Sequence, residues 1–459
     1  MPPPAPAIVA PTSARPRPLR PVAVLGGGIT GLSAAWHLRR RGVPVVVFEA
    51  GPRPGGVMGS VREGDWLLET GPNTLFENTP AITAFLDDLG LGARKLEAAP
   101  AAQKRYVVRA GRPVALPHSP LSFVTSPLLS WSAKLRLLGE PFRRRAPPER
   151  EESVAEFVRR RLGREFLDYI VNPFVAGVFA GDPAALSVRQ AFPKLHALEQ
   201  EHGSLARGSL ARRNASGGPR GRMVSFPEGL AEVPRALARS LSRSLQLDHA
   251  VTHVARAGAD WRVGFAAGGL RREESFSAVI CALPPEVLAG LRFDAVPAAS
   301  HLAVLRAIPQ PPVASVFLGF RRADVAHPLD GFGLLTPAVE QRRILGTLFS
   351  STLFPGRAPA GHVALTTFVG GTRQPELAQA TDAELLAAVQ AELAALLGVR
   401  GAPVIARIQR WPHAIAQYVV GFQQFKDACA LWWTFPSGGT FTRKVPSHEA
   451  TRSTQIASR

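Results

Sequence analysis

A short β-prone run, Val22-Ala-Val-Leu25, is followed at once by Gly26-Gly-Gly-Ile-Thr-Gly31 and then by Leu32 to Arg41, whose apolar residues fall at helical spacing. Gly42 stops that helix, and Val43 to Phe48 is a second β-branched run ending at Glu49. Strand, glycine turn, helix, strand is a βαβ unit, which commits the opening of the chain to a parallel α/β sheet. Gly26, Gly28 and Gly31 stand at G-x-G-x-x-G spacing, so the turn can tighten and a diphosphate can approach backbone N–H groups at a helix N-terminus. Glu49 lies 18 residues beyond Gly31, the separation at which a carboxylate reaches both ribose hydroxyls of a dinucleotide. A purely structural glycine turn is the competing explanation. The acidic residue ending the second strand weighs against it.

With 459 residues the chain exceeds one average domain, and two or three compact units are expected. A 46% hydrophobic composition excludes a wholly disordered chain. The net charge of +19 attracts an acidic partner, whether nucleic acid, anionic lipid or a carboxylate-bearing small molecule. It is concentrated at Arg143 to Arg145, at Arg159 to Arg161 and between Arg207 and Arg222. A solvated face explains any one of these patches equally well. Cys281 and Cys429 are too few and too far apart for a disulfide framework or a thiolate metal site. His249 and His253 would sit two pleats apart on a strand, which gives no metal pair. Residues 1–20 form a Pro/Ala-rich arm expected to be disordered, and no stretch reads as a transmembrane span.

Further along, helices are expected over Thr79 to Leu91, Leu230 to Leu245 and Asp382 to Leu397, and a hairpin over Tyr106 to Ala115 turning at Ala110-Gly111. Leu121 to Leu205 reads as helix-rich, and Arg207 to Arg222 as a mobile basic loop. Strands are expected at His249 to Val254, Trp261 to Phe265, Ala278 to Ala282, Val313 to Phe320, Ile344 to Phe349 and His362 to Phe368. No internal repeat, P-loop, nucleophile elbow or aromatic-interleaved basic motif is present, and nucleic acid is not expected as a partner.

Glu49-Ala-Gly-Pro-Arg53-Pro-Gly55-Gly56 resembles the E-x-x-x-R-x-G-G signature of the FAD-dependent amine oxidase superfamily. Within it, several motifs resemble the protoporphyrinogen oxidases in type and order. They are Gly71-Pro-Asn-Thr74, Lys104-Arg-Tyr106, Gly177-Val-Phe-Ala-Gly-Asp182 with Leu186-Ser-Val-Arg189, Phe226-Pro-Glu-Gly-Leu230, Gly331-Phe-Gly333 and Ala416-Gln-Tyr418 with Gly421. Together they cover about Val22 to Ala430, and Gly177 to Asp182 is the most specific.

The resemblance implies FAD as cofactor, held by Gly26, Gly27, Gly28, Ile29, Thr30, Gly31, Glu49, Arg53, Gly55, Gly56, Val57, Gly71, Pro72, Asn73 and Thr74, with Val251 at the adenine end. Backbone packing is the alternative role for these positions. The substrate implied is a porphyrinogen: Arg105 pairs with a propionate, Gly177 and Ala180 allow close backbone approach, and Phe332, Leu335 and Phe368 pack against the macrocycle. As chemistry, it implies hydride loss from the methylene bridges to FAD, with molecular oxygen reduced to hydrogen peroxide and no metal. The rivals are a coproporphyrinogen III oxidase, an amine oxidase and a flavin-free basic binding protein.

The implied architecture is α/β: a Rossmann-like FAD-binding domain (21–95, 223–290 and 405–430), an inserted mixed-sheet substrate-binding domain (96–118 and 291–404) and a helical membrane-binding domain (119–222). In that last unit Leu121, Phe123, Leu128, Leu129, Trp131, Leu135 and Leu138 run up to Arg143 to Arg145, an interfacial pattern for which a buried core helix is the rival. The family further implies a cytoplasmic protein, peripheral on the inner face of the cell membrane, and compatible with a homodimer. Residues 431–459 carry none of the family's closing strand, turn and helix, which is the mark of a shifted reading frame or a divergent end. Weaker FAD binding and impaired activity are expected from it.

Overall fold

The computed structural model describes residues 20–147, 149–215 and 221–433. The expectations for the N-terminal arm and for 434–459 lie outside the described residues. β1 (Val22–Leu25) is followed by α1 (Ile29–Arg40) and β2 (Val45–Phe48). Apolar at every position and buried, β1 lies at the centre of a parallel four-stranded sheet, with β2 and the strand Leu245–Gln246 on one side and the strand Ala278–Cys281 on the other. Burial on both faces is what a continuous Val/Ala/Leu run requires. One face packs against Leu32, Ala35 and Trp36 of α1 and against Val233 and Leu237 of the helix Glu232–Leu241. Val254, Val263, Phe265 and Phe276 cover the other face against Ala23, Leu25 and Phe48. They come from a second four-stranded sheet, ordered Leu270–Phe276, Asp260–Ala267, Ala250–Ala257, Arg292–Asp294.

A seven-stranded mixed sheet forms the second body. Its strands are β3 (Tyr106–Arg109), β4 (Arg112–Ala115), β5 (Val313–Arg321), β6 (Gly333–Leu335), β7 (Gly346–Leu348), β8 (His362–Gly370) and β9 (Ile405–Trp411). Their order across the sheet is β9-β5-β8-β7-β6-β3-β4. The β3–β4 turn has positive φ at both Ala110 (50°) and Gly111 (73°), the pair of angles that matches the twist of a two-residue hairpin. The helix Asp382–Leu397, closed by a capping box between Thr381 and Glu384, packs Leu385, Val389, Leu393 and Leu396 onto this sheet. β9, expected in the cofactor domain, is instead an edge strand here, paired antiparallel with β5.

Between the two bodies in sequence lies a helical unit. Within it residues 207–215 of the basic stretch expected as a loop belong to the helix Leu205–Ala215, and residues 216–220 of that stretch lie outside the described residues. Its first turn is fixed by tertiary contacts: buried Glu140 accepts the N–H groups of Leu205 (2.9 Å) and Ala206 (3.1 Å). Those N–H groups would otherwise be unpaired at the helix start. The helix α2 (Asn172–Phe179) carries the Gly177 motif and ends at Ala180, whose φ of 50° closes it in the left-handed region. Among the described residues no helix is long and apolar enough to cross a membrane.

Candidate active site

The glycine turn after β1 is shaped by close approaches. Gly26 has φ +104°, and a Cβ there would lie 2.7 Å from the Ala282 carbonyl oxygen; one at Gly31 would collide with the Gly26 carbonyl. Gly28, by contrast, faces open space and caps α1, which has neither a side-chain cap nor an acidic residue in its first turn. Anion-binding capacity at this helix start is therefore left for a ligand. Glu49 sits under the turn, accepting the Gly27 N–H (2.7 Å) on one carboxylate oxygen and the Gly51 N–H (2.8 Å) on the other.

From there the cradle continues along the chain's next turns. Gly28 bridges to Gly55, the Gly55 N–H donates to the Gly27 carbonyl (2.8 Å), and a Cβ at Gly56 would lie 3.3 Å from the Gly28 Cα. Arg53 folds over this turn and donates to the Gly56 carbonyl (2.9 Å). Gly71 in turn packs on the Val57 carbonyl so closely that no side chain fits, and the Asn73 side chain donates to the Gly71 carbonyl (3.1 Å). Gly26 to Gly31, Glu49, Arg53 to Val57 and Gly71 to Thr74 thus form one continuous strip.

A second cluster lies on the seven-stranded sheet. Phe368 of β8 pairs with Gly346 of β7, and Gly346 pairs with Leu335 of β6, so the three share one row and one face. A Cβ at Gly346 would lie 2.6 Å from the Leu334 carbonyl oxygen and 2.9 Å from the Leu335 side chain, so the leucine leans over the glycine. A Cβ at Gly177 of α2 would press on the end of the Leu335 side chain and make it shift, while Phe368 packs with Ala176, Ala180, Val313 and Leu345. Arg105, exposed, holds its guanidinium 5.3 Å from the centre of the Phe332 ring. Leu335, Phe368, Gly177 and Ala180 therefore pack into one apolar cluster, the candidate slot for a substrate, and Arg105 and Phe332 stand at the same strands' leading end.

Asn73 links strip to slot. With Glu69 and Arg357 it lines a small polar cavity closed by Phe317 of β5 and Thr366 of β8, and Thr366 is two residues from Phe368, on the same face. At the cavity wall Glu69 is buried and accepts from Ser60 and from the Leu230 N–H (3.0 Å), with the Arg357 guanidinium 3.4 Å away. Burial pushes its carboxyl up to about 7, against the pull of Ser60 and Arg357. Trp411 of β9 ties the junction from behind, donating its indole N–H to the Thr70 carbonyl (3.0 Å).

Residues 29–434 match the family model of the flavin containing amine oxidoreductases. The chain is 36% identical over 438 residues, 89% of its length, to "Protoporphyrinogen oxidase 2, chloroplastic/mitochondrial" of Arabidopsis thaliana, 86% of which is covered. The chain belongs to the flavin-containing amine oxidoreductase family. The coproporphyrinogen III oxidase of Staphylococcus aureus is a more distant relative, 27% identical over 90% of this chain and 92% of its own. Among solved structures, an Exiguobacterium sp. 255-15 protein with a provisional protoporphyrinogen oxidase name has a TM-score of 0.75 at 23% identity, covering 90% and 92% of the two chains. Cyclohexylamine oxidase of Brevibacterium oxydans has a TM-score of 0.62 at 20% identity, with 90% of each chain covered. These two likenesses concern the fold.

As a member of the flavin-containing amine oxidoreductase family the chain is an FAD-dependent oxidoreductase. The cradle fits that cofactor: the space over Gly28, the uncapped helix start and the Glu49 carboxylate are the shapes and charges a diphosphate and a ribose need. Val251, expected at the adenine end, is half-buried against the Phe48 and Phe265 cluster on the strand whose approach is fixed by the His249 N–H donating to the Glu49 carbonyl (2.8 Å). His249 and His253 do not converge, since one ring bonds the Leu247 carbonyl (2.6 Å) and the other Glu273 (2.8 Å). Gly346, Glu69 and Trp411 were not foreseen. Gly346 is legible only once strand register is known, and Glu69 only once its burial is.

Proposed function

We propose that the chain oxidises protoporphyrinogen IX to protoporphyrin IX, with molecular oxygen as acceptor and hydrogen peroxide as co-product. The observation that carries this reading is the junction at Asn73, where the glycine strip meets the face of the sheet that bears the Leu335, Gly346 and Phe368 slot. Bound FAD supplies a hydride acceptor, and oxygen takes the electrons onward. What the chain contributes is placement. Leu335 and Phe368 exclude water from a flat apolar disc, Gly177 and Gly346 let the Leu335 side chain lie close against helix and sheet, and Arg105 neutralises a carboxylate at its rim. The higher identity to protoporphyrinogen oxidases than to coproporphyrinogen III oxidases supports the two-carboxylate substrate.

The test is anaerobic mixing of FAD-saturated protein with each porphyrinogen. FAD is added in excess so that every site is filled. Bleaching of the flavin by protoporphyrinogen IX is expected, and failure to bleach with any porphyrinogen would overturn the reading. Arg105→Leu is expected to raise KM about 10- to 100-fold, the equivalent of about 1.5–3 kcal/mol for one charge-assisted hydrogen bond, and to leave kcat within about twofold.

We also propose that the helical unit docks on an anionic membrane, with the protein cytoplasmic and peripheral on the inner face of the cell membrane. Leu121 is 75% exposed, Trp131 64%, Leu138 72% and Phe142 83%, all on the neighbouring helices Pro120–Thr125 and Trp131–Leu138 and the turn beyond them. Leu128 and Leu129, expected on the same surface, are buried instead. Lys134 locks the two helices together by donating to the Val124 (2.7 Å) and Ser126 (2.8 Å) carbonyls. Exposed Arg136, Arg144 and Arg145 flank the patch. An apolar surface ringed by cations is what interfacial binding uses. Replacing Trp131, Leu135 and Leu138 together by serine is expected to weaken binding to anionic vesicles at least about tenfold in a sedimentation assay, with flavin content unchanged.

A further inference from the structure

Arg105 has no carboxylate partner among the described residues, yet both of its sequence neighbours are tied to the same acid. The Lys104 ammonium donates to one Asp330 oxygen (2.6 Å) and the Tyr106 hydroxyl to the other (2.5 Å). In extended backbone, alternate side chains point to opposite faces, and Lys104 has φ −75° and ψ 130°. Lys104 and Tyr106 therefore share one face and Arg105 takes the other. The register says which is which. Tyr106 pairs with Leu334 on the face that joins the buried core of the sheet, whereas Val107 pairs with Leu335. Arg105, two residues before Val107, falls on the side of Leu335, Gly346 and Phe368.

We infer that Asp330 is a positioning residue: by clamping Lys104 and Tyr106 behind the strand it aims the Arg105 guanidinium at a carboxylate of the ligand in the slot. The inference rests on the porphyrinogen reading, since that reading gives Arg105 its carboxylate. Asp330 is itself held rigidly. Gly331 lets its loop lie on the strand, a Cβ there falling 2.7 Å from the Lys104 carbonyl oxygen, and the Phe332 N–H donates to that carbonyl (2.7 Å). Leu329, just before, has φ 53° and is buried, a left-handed angle costly for leucine that persists where surrounding contacts dictate it. The contacts are the Thr352 hydroxyl donating to the Leu329 carbonyl (2.7 Å) and the His327 ring accepting the Leu329 N–H (3.0 Å). Hydrogen bonds from Lys104 and Tyr106 hold the Asp330 carboxyl below its ordinary range, so the clamp stays charged through the neutral region.

The experiment measures binding of protoporphyrin IX and of its uncharged dimethyl ester to the purified FAD-saturated protein, by porphyrin fluorescence, so that no turnover is needed. The wild type is expected to prefer the diacid. Asp330→Asn should weaken diacid binding about 5- to 10-fold, leave ester binding within about twofold, and add nothing in an Arg105→Leu background, as coupled groups do. Asp330→Glu, which keeps both acceptors, should recover at least half of the lost affinity. If Asp330→Asn weakens both ligands alike, or adds fully to Arg105→Leu, Asp330 is merely structural and the inference is overturned. If the wild type prefers the diacid and Asp330→Asn does not reduce that preference, the inference fails alone. A wild type that binds diacid and ester equally overturns the Arg105 reading and the inference with it.

Discussion

Replacing Gly28 by valine yields a folded protein that no longer takes up FAD. Gly28 has φ −68° and ψ 173°, extended backbone that a β-branched residue adopts without strain, and a Cβ there meets no atom within 4 Å. The fold of the ligand-free chain therefore accommodates the side chain. The space it fills is the gap above the start of α1 and beside Gly55 and Gly56, where a diphosphate has to lie to reach the free N–H groups. Its affinity for FAD is expected to fall about 100-fold or more, about 2.7 kcal/mol. Far-UV circular dichroism and the unfolding midpoint of the apoprotein should match the wild type. Gly26 and Gly31 serve as contrast, because any side chain at either meets the backbone of the turn or of Ala282 and should lower stability as well as cofactor content. Retention of flavin at wild-type affinity by the Gly28→Val protein would show that the diphosphate does not pass over this residue.

What could be read from the chain itself was what local chemistry writes locally. The βαβ unit at Val22 to Glu49, the hairpin at Ala110-Gly111 and the capped helix at Asp382 to Leu397 all have their punctuation within a few residues, and each forms as read. Strands whose reason lies elsewhere were missed. Leu270–Phe276 carries Arg271, Arg272, Glu273 and Glu274 in a row, shows no apolar alternation, and is a strand because Asp260–Ala267 offers it a partner. The hairpin Ser60–Glu63 with Trp66–Glu69 was likewise unmarked, although its second strand is buried throughout. The stretch after Arg207 looked like a loop because Gly, Ser and Asn dominated its reading; Ala, Leu and Arg between them are helix formers, and the deciding cap comes from Glu140, 65 residues earlier. The candidate site divides the same way. Motif residues were legible one by one, whereas their shared row on β6, β7 and β8, and the clamp from Asp330 across 226 positions to Lys104, exist only after the sheet has formed.

Removing the Arg161 guanidinium should destabilise the helical unit more than any surface change in it. Arg161 is 0% exposed; it donates to Glu140 and to the carbonyls of Arg143 (2.8 Å) and Gly203 (2.9 Å), and lies 3.4 Å from Glu199. Arg160 bonds Glu152 and Glu199 from the other side. Arg161→Leu leaves Glu140 and Glu199, both buried, to share one remaining guanidinium that reaches only the second of them. Breaking a buried pair by deleting one partner typically costs about 3–5 kcal/mol, because the other charge is stranded away from water. Glu140 also caps the helix Leu205–Ala215 and accepts from Ser204 (2.7 Å), so its displacement frees that helix too. The pH dependence separates a stranded charge from simple loss of packing. In the wild type the Glu140 carboxyl is held below its ordinary range: burial opposes ionisation, but Ser204, the Leu205 and Ala206 N–H groups and Arg161 together outweigh it. Its contribution is present above the unfolded value and is lost as the pH falls. In Arg161→Leu the stranded Glu140 carboxyl should titrate higher than in the wild type, so the folded variant gains relative stability as it takes up a proton. The stability gap in urea titrations should accordingly be full at about pH 7.5 and should narrow at about pH 4.5. A gap that stays constant across that interval would assign the loss to the missing side-chain volume rather than to the buried carboxylates.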